Sequence, residues 1–253
     1  MSVITDPWFY AVAIPAVCLV GLSKGGLGGA MALLGVPLMA LVISPVQAAA
    51  IMLPILIVMD IVSLWAWRGN YDRESLVIML PAGLVGIAIG WFTASWVTVP
   101  EVRLIVGVVA MGFALRYVWT LFAAPAPPMP HRPWHGRFWG MVTGFTSFVS
   151  HAGGPPYQAY TLPLRQDPKI YTGTSVIFFS VVNAVKLIPY FALGQFDSTN
   201  LVTSAVLAPI APVATLAGAF LVRRMRGEIF YPFMYALMAV TAVKLIWDGV
   251  SGL

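Results

Sequence analysis

The stretch GLSKGGLGGAMALLGVP, residues 21–37, interrupts an apolar tract with five glycines in its first nine residues and a lysine at position 24. A helix in lipid disfavours both. Glycine costs backbone order, and a charge at depth costs about 2.5–3.5 kcal/mol on insertion scales. A second stretch, SHAGGPP at residues 150–156, breaks another apolar tract in the same way. What surrounds these two breaks decides the fold class.

The chain has 253 residues, 60 % hydrophobic and only 9 % charged, with a mean hydropathy of +0.88. A soluble domain carries about 25 % charged residues, so this composition cannot clothe a water-facing surface. Long apolar runs recur from end to end, and the short alternating segments of a β-barrel are absent. The expectation is an all-α polytopic membrane protein. The single cysteine, Cys18, excludes an intrachain disulfide and a multi-cysteine metal site. The formal charge of +5 is spread singly and in short loops, which speaks for topology signals and against nucleic acid. The start, MSVITDPWFY, lacks a basic n-region, so no cleavable signal peptide is expected.

Six segments are long enough to span: 46–67, 75–97, 101–122, 170–192, 200–222 and 230–250. Four shorter ones (8–23, 28–43, 138–150 and 154–164) form two pairs, each flanking a glycine break. Such pairs are expected to be re-entrant or broken helices. The proline-rich segment 123–137, AAPAPPMPHRPWHGR, divides the chain into 1–122 and 138–253. The halves resemble each other. Gly28-Gly29 match Gly153-Gly154, Ser44-Pro45 match Asp167-Pro168, Asp60 falls opposite Asn183, GNYD (69–72) matches GQFD (194–197), and RYVW (116–119) matches KLIW (244–247). Order is kept throughout, which points to an internal duplication.

Arg223, Arg224 and Arg226 place their loop on the cytoplasmic side. Counting back puts Arg165, Lys169, the linker, Arg68 and Arg73 inside as well. Each half then holds one hairpin and three crossings. An odd number of crossings inverts the second half relative to the first, a recurrent transporter design with its site near the midplane. Trp65, Trp67, Trp91, Trp96, Trp119 and Trp247 fall toward span ends, where an aromatic belt is expected.

Irregular backbone survives at membrane depth only when buried in protein or lining a wet cavity. The two breaks are therefore expected to face each other across an interior site. A helix restarting after a break offers free N–H groups and a positive dipole end, a ready anion site. The residues expected to bind substrate are Ser23, Lys24, Gly25, Gly26, Gly28 and Gly29 in the first break. In the second they are Ser150, His151, Gly153, Gly154, Tyr157 and Gln158. Close helix packing is the competing use of the glycines. Lys24 could instead snorkel to the interface, and His151 could be an ordinary interior histidine. Asp60, Asn183 and Lys186 are the intramembrane polar set; a coupling role competes there with a structural ion pair of Asp60 and Lys186.

No enzyme constellation stands up. GLSKGGLGG lacks the GK[ST] of a phosphate loop, there is no HExxH, and His131 and His135 bracket Pro133 in a loop, a poor metal site. Ser150-His151 is the sole adjacent nucleophile–base pair. No cofactor and no metal are expected.

On the residues GLSKGGLGGAMALLGVP with GNYD, and GFTSFVSHAGGPPYQAYTLP (144–163) with GQFD, the sequence resembles the TauE/SafE family of sulfite exporters and sulfonate permeases. The likeness runs from about Cys18 to Trp247. Two features depart from the family pattern: HAGGPP stands where three consecutive glycines are typical, and Lys24 is not universal. The resemblance implies a multi-pass carrier in a bacterial inner membrane for sulfite, sulfonates or related sulfur anions. The expected partners are a small anionic substrate, protons and the lipid bilayer, and a homodimer stays open. The expected mechanism is alternating access. A passive anion channel is the alternative, with an intramembrane enzyme or scaffold behind it.

Overall fold

The computed structural model describes residues 4–27, 32, 34–93, 96–122, 127–192 and 198–252. Gly28, Gly29 and the GQFD turn lie outside them. The described residues are helical, and no strand occurs among them. The order is α1 (Pro7–Leu22), a π turn (Ser23–Leu27), α2 (Gly35–Met39), α3 (Pro45–Ala66), α4 (Arg73–Thr93) and α5 (Val99–Phe122). Then come α6 (Pro133–Ser150), α7 (Gly154–Thr161) with a 3-10 turn (Leu162–Leu164), α8 (Pro168–Ala192), α9 (Ser198–Leu207), α10 (Ile210–Arg224) and α11 (Gly227–Ser251). Six helices are long and apolar enough to cross a membrane: Pro7–Leu27, Gln47–Ala66, Arg73–Thr93, Val99–Thr120, Pro168–Ile188 and Gly227–Ser251. The chain is a multi-pass membrane protein.

Short polar punctuation sets the helix starts. Asp6 caps α1 by accepting from the N–H of Trp8, with Pro7 in the first turn. Ser44 caps α3 through the N–H of Gln47, with Pro45 behind it. Asp167 does the same for α8 through Lys169, ahead of Pro168. The Ser-Pro and Asp-Pro pairs matched between the two halves are thus both helix starts.

One expected span differs. The segment 200–222 is not a single helix; α9 and α10 meet at a 48° bend. Pro209 explains it: proline has no N–H to continue α9 and clashes with the preceding turn. The hydropathy of the segment runs through the bend, so length alone hid it.

The chain forms two compact units. The first joins residues 1–71 to 175–224, and the second joins 72–174 to 225–253. In the first unit α1 crosses α10 through small residues. A Cβ on Gly21 would stand 2.5 Å from the Cβ of Ala214, and one on Gly218 would strike the carbonyl of Leu22. In the second unit α4 crosses α6 likewise. A Cβ on Gly144 would strike the carbonyl of Gly83, and one on Gly86 the carbonyl of Met141. These backbones touch because nothing larger than hydrogen lies between them, the packing expected of helices in lipid. Apolar side chains that elsewhere would form a core face outward, such as Ile61, Phe92 and Phe191 at 62, 77 and 79 % exposure.

Candidate functional site

The first break belongs to the first unit. After Leu22 the helix widens into the π turn, and Gly26 takes φ 131°, a conformation that side chains disfavour. Two side chains one turn apart on α3 take up the carbonyls there. Ser63 Oγ donates to Lys24 O at 3.0 Å, and Trp67 Nε1 donates to Gly25 O at 2.9 Å. Arg223 of α10 donates to the carbonyl of Ala66, and its guanidinium lies 5.3 Å from the Trp67 ring centroid. Gly25 has no room for a side chain: a Cβ would strike the carbonyl of Thr215 and stand 2.7 Å from Ala219 N. Close packing, the competing reading of this glycine, is therefore real at Gly25.

Trp67 corrects one sequence expectation. Five of the six tryptophans assigned to the aromatic belt are exposed, but Trp67 is 2 % exposed and braces the break. A tryptophan is amphipathic enough to serve either place. Hydropathy alone does not separate the two.

The charges at this break are paired at depth. Lys24 Nζ lies 2.6 Å from Asp60 Oδ1, with side-chain exposures of 14 and 5 %. Asn183 Nδ2 donates to the other oxygen, Oδ2, at 2.7 Å. Both carboxylate oxygens are therefore engaged, and Asp60 joins the first hairpin, α3 and α8. Lys186 lies one turn from Asn183, is 1 % exposed, and sits within electrostatic reach of both Lys24 and Asp60. Lys24, which the sequence reading had not paired with Asp60, makes the ion pair with it. Lys24 and Lys186 therefore both stand near one carboxylate, and a buried charge is costly unless it is paired.

The second break belongs to the second unit and holds no lysine, arginine, aspartate or glutamate. α6 ends at Ser150, and His151 takes the left-handed conformation, φ 55° and ψ 19°. The N–H of Ala152 returns to Thr146 O at 3.2 Å, a capping turn that lets the helix end in place. Ser150 Oγ donates to the same carbonyl at 3.1 Å. Gly153 precedes α7, whose first turn holds Gly154, Pro155 and Pro156. Ser150, Tyr157 and Gln158 are all buried, and the Tyr157 ring packs edge-on to Tyr171.

A polar knot that sequence reasoning missed lies at one end of the second unit. Asp72, read from GNYD only as a repeat marker, accepts from the N–H groups of Glu74 and Ser75 at the start of α4. It also accepts from Gln166 Nε2 at 2.8 Å, and lies 3.3 Å from His131 Nε2. Its own N–H donates to Thr174 Oγ1 at 2.8 Å. Burial raises the Asp72 carboxyl, but Ser75, Gln166 and His131 outweigh it and hold the pKa below the ordinary value. The signal was visible: an aspartate three residues before a serine at a helix start. Among the described residues no group of three histidines, cysteines or carboxylates could hold a metal.

The family model described as Sulfite exporter TauE/SafE matches residues 13–245, which takes in both breaks, the cluster around Asp60, and Asp72. No curated protein and no solved structure matches the chain.

Proposed function

The chain belongs to the TauE/SafE sulfite exporter family, and from that premise we propose that it is a secondary transporter moving a small sulfur oxyanion, sulfite or an organosulfonate, across a bacterial inner membrane. One observation carries the reading: the buried cluster of Lys24, Asp60, Asn183 and Lys186, which gathers two amines and an amide around one carboxylate beside the first break. The family membership supplies the substrate class, and the cluster supplies a place for the charge. Lys24 and Lys186 are the cationic contacts, and the backbone at Gly25 and Gly26 lies beside them.

The cluster also suggests how protons couple. With Asp60 ionised, Lys24 is held by the carboxylate. A proton on Asp60 frees the Lys24 ammonium, and an anion then takes the place of the carboxylate charge. Proton and anion carry opposite charges, so they load together without a change in buried charge. Alternating access would then carry the pair across. The reciprocal small-residue crossings of α1 with α10 and of α4 with α6 support an inverted duplication as its framework.

The test is purified protein in proteoliposomes, loaded with radiolabelled sulfite or small sulfonates, with and without a pH gradient. Accumulation that follows the gradient and is abolished in Asp60→Asn is the expected result. Equilibration that ignores the gradient and survives Asp60→Asn would overturn the coupled reading in favour of a passive channel. Lys24→Gln should weaken anion binding by about 1.5–3 kcal/mol, the usual worth of a hydrogen bond to a charged group. Thermal shift reads this directly, since ligand at about 100 times its Kd stabilises a fold by about 2.7 kcal/mol.

A further inference from the structure

The second unit holds a cavity of about 460 Å³ with no part in the reading above. It lies between the last turns of α5, the first turns of α6 and the third turn of α11, and the linker and the 3-10 turn close it. Three guanidiniums line it, from Arg116, Arg132 and Arg165, and His135 adds a fourth nitrogen base. No aspartate or glutamate is among its lining residues. The apolar wall is aromatic: Tyr117 and Tyr235 stack face to face with centroids 3.8 Å apart, and Phe113 meets Trp139 edge-on at 5.4 Å.

Three features narrow the occupant. Three exposed arginines with no carboxylate among the lining residues favour a negative group, and planar guanidiniums suit phosphate oxygens best. The depth is interfacial. Arg116 lies six residues before the end of α5, about 9 Å along the helix axis, and Arg132 and His135 flank the start of α6. The neighbouring surface is lipid-facing, with Leu115 and Trp119 of α5 at 61 and 77 % exposure and Trp134 of α6 at 78 %. Tryptophans at that level mark the headgroup boundary. An occupant with an anionic head and apolar tails running along α5 meets all three conditions.

We propose that this cavity is a binding site for the phosphate head of an anionic phospholipid. Basic pockets between helices at the membrane boundary are the general form of such a site. The missing carboxylate also sets selectivity. Phosphatidylcholine and phosphatidylethanolamine carry a cationic group for which the lining residues offer no carboxylate, whereas phosphatidylglycerol and cardiolipin carry none.

The experiment is native mass spectrometry and thermal shift on the purified full chain, delipidated and then titrated with phosphatidylglycerol or phosphatidylcholine. Separate arms use glycerol phosphate and benzenesulfonate, which have the head or an anionic ring without tails. Phosphatidylglycerol should bind at least about tenfold more tightly than phosphatidylcholine, and Arg116→Gln/Arg165→Gln should erase the difference. Lys24→Gln, in the other unit, should leave it intact. Equal retention of the two lipids, or an unchanged preference in the double variant, overturns the proposal. So does benzenesulfonate binding that needs the same arginines while phosphatidylglycerol does not bind, which would assign the cavity to a soluble organic anion. The melting temperature of the double variant in phosphatidylcholine micelles should match the parent. A drop there together with lost phosphatidylglycerol binding would count against the site, because misfolding would account for the loss.

Discussion

The two glycine breaks solve one problem by opposite means. The first stops a helix with a widened turn and hands its loose carbonyls to another helix, through Ser63 and Trp67. It also carries a charge, Lys24, that only Asp60 makes tolerable. The second closes on itself: His151 turns left-handed, and Thr146 takes back the loose N–H groups. The first break therefore depends on distant residues and the second mainly on its own neighbours.

The largest expected effect breaks the first break's dependence. Asp60→Leu leaves Lys24 and Lys186 without their carboxylate and should cost about 3–5 kcal/mol, the usual penalty for orphaning a buried charge. Melting of the detergent-solubilised protein checks it. The double variant Lys24→Met/Asp60→Leu should recover much of the loss, and a double no better than the single would deny the pairing. Packing comes next. Gly25→Ala and Gly144→Ala each force a Cβ onto a backbone carbonyl, of Thr215 and Gly83 respectively, and should each cost about 1–3 kcal/mol. Similar losses would show that the first break and the α4–α6 crossing are packed equally tightly.

Backbone handedness gives a smaller effect of opposite sign. His151→Gly relieves a left-handed non-glycine residue and should be neutral or stabilising by about 1 kcal/mol. Gly26→Ala, at φ 131°, should destabilise. Both are read as shifts in melting temperature. The smallest effect tests the frame. Asp72→Ala removes the cap of α4 and should cost roughly 1 kcal/mol at neutral pH. Because the folded carboxyl titrates below its unfolded value, its contribution is full above about pH 4–5 and fades as pH falls through the lowered pKa. Parent and variant should therefore converge in acid.

The long helices and both breaks were legible from apolar runs and glycine clusters, because insertion in lipid is decided by local composition. Asp60 and Asn183, found opposite each other by repeat register, turn out to share a hydrogen bond. The pairing of Lys24 with Asp60 was not legible. It spans 36 residues and depends on how α1 packs against α3, which no local pattern encodes. The bend at Pro209 was missed because an averaged hydropathy is blind to one absent N–H. Asp72 was seen as a turn residue, and its partners Gln166 and His131 lie in loops whose polarity is ordinary.

The interleaving of the units bears on how the chain is made. The first unit draws on residues 1–71 and again on 175–224. At about 5–20 residues per second, roughly 5–20 s separate the synthesis of its two parts. Throughout that interval Lys24 and Asp60 are already in the nascent chain, while Asn183, Lys186 and the α10 residues that brace Trp67 have not been translated. The ribosome thus delivers the membrane an unfinished polar site, and whatever attends insertion must shelter it until the second half arrives.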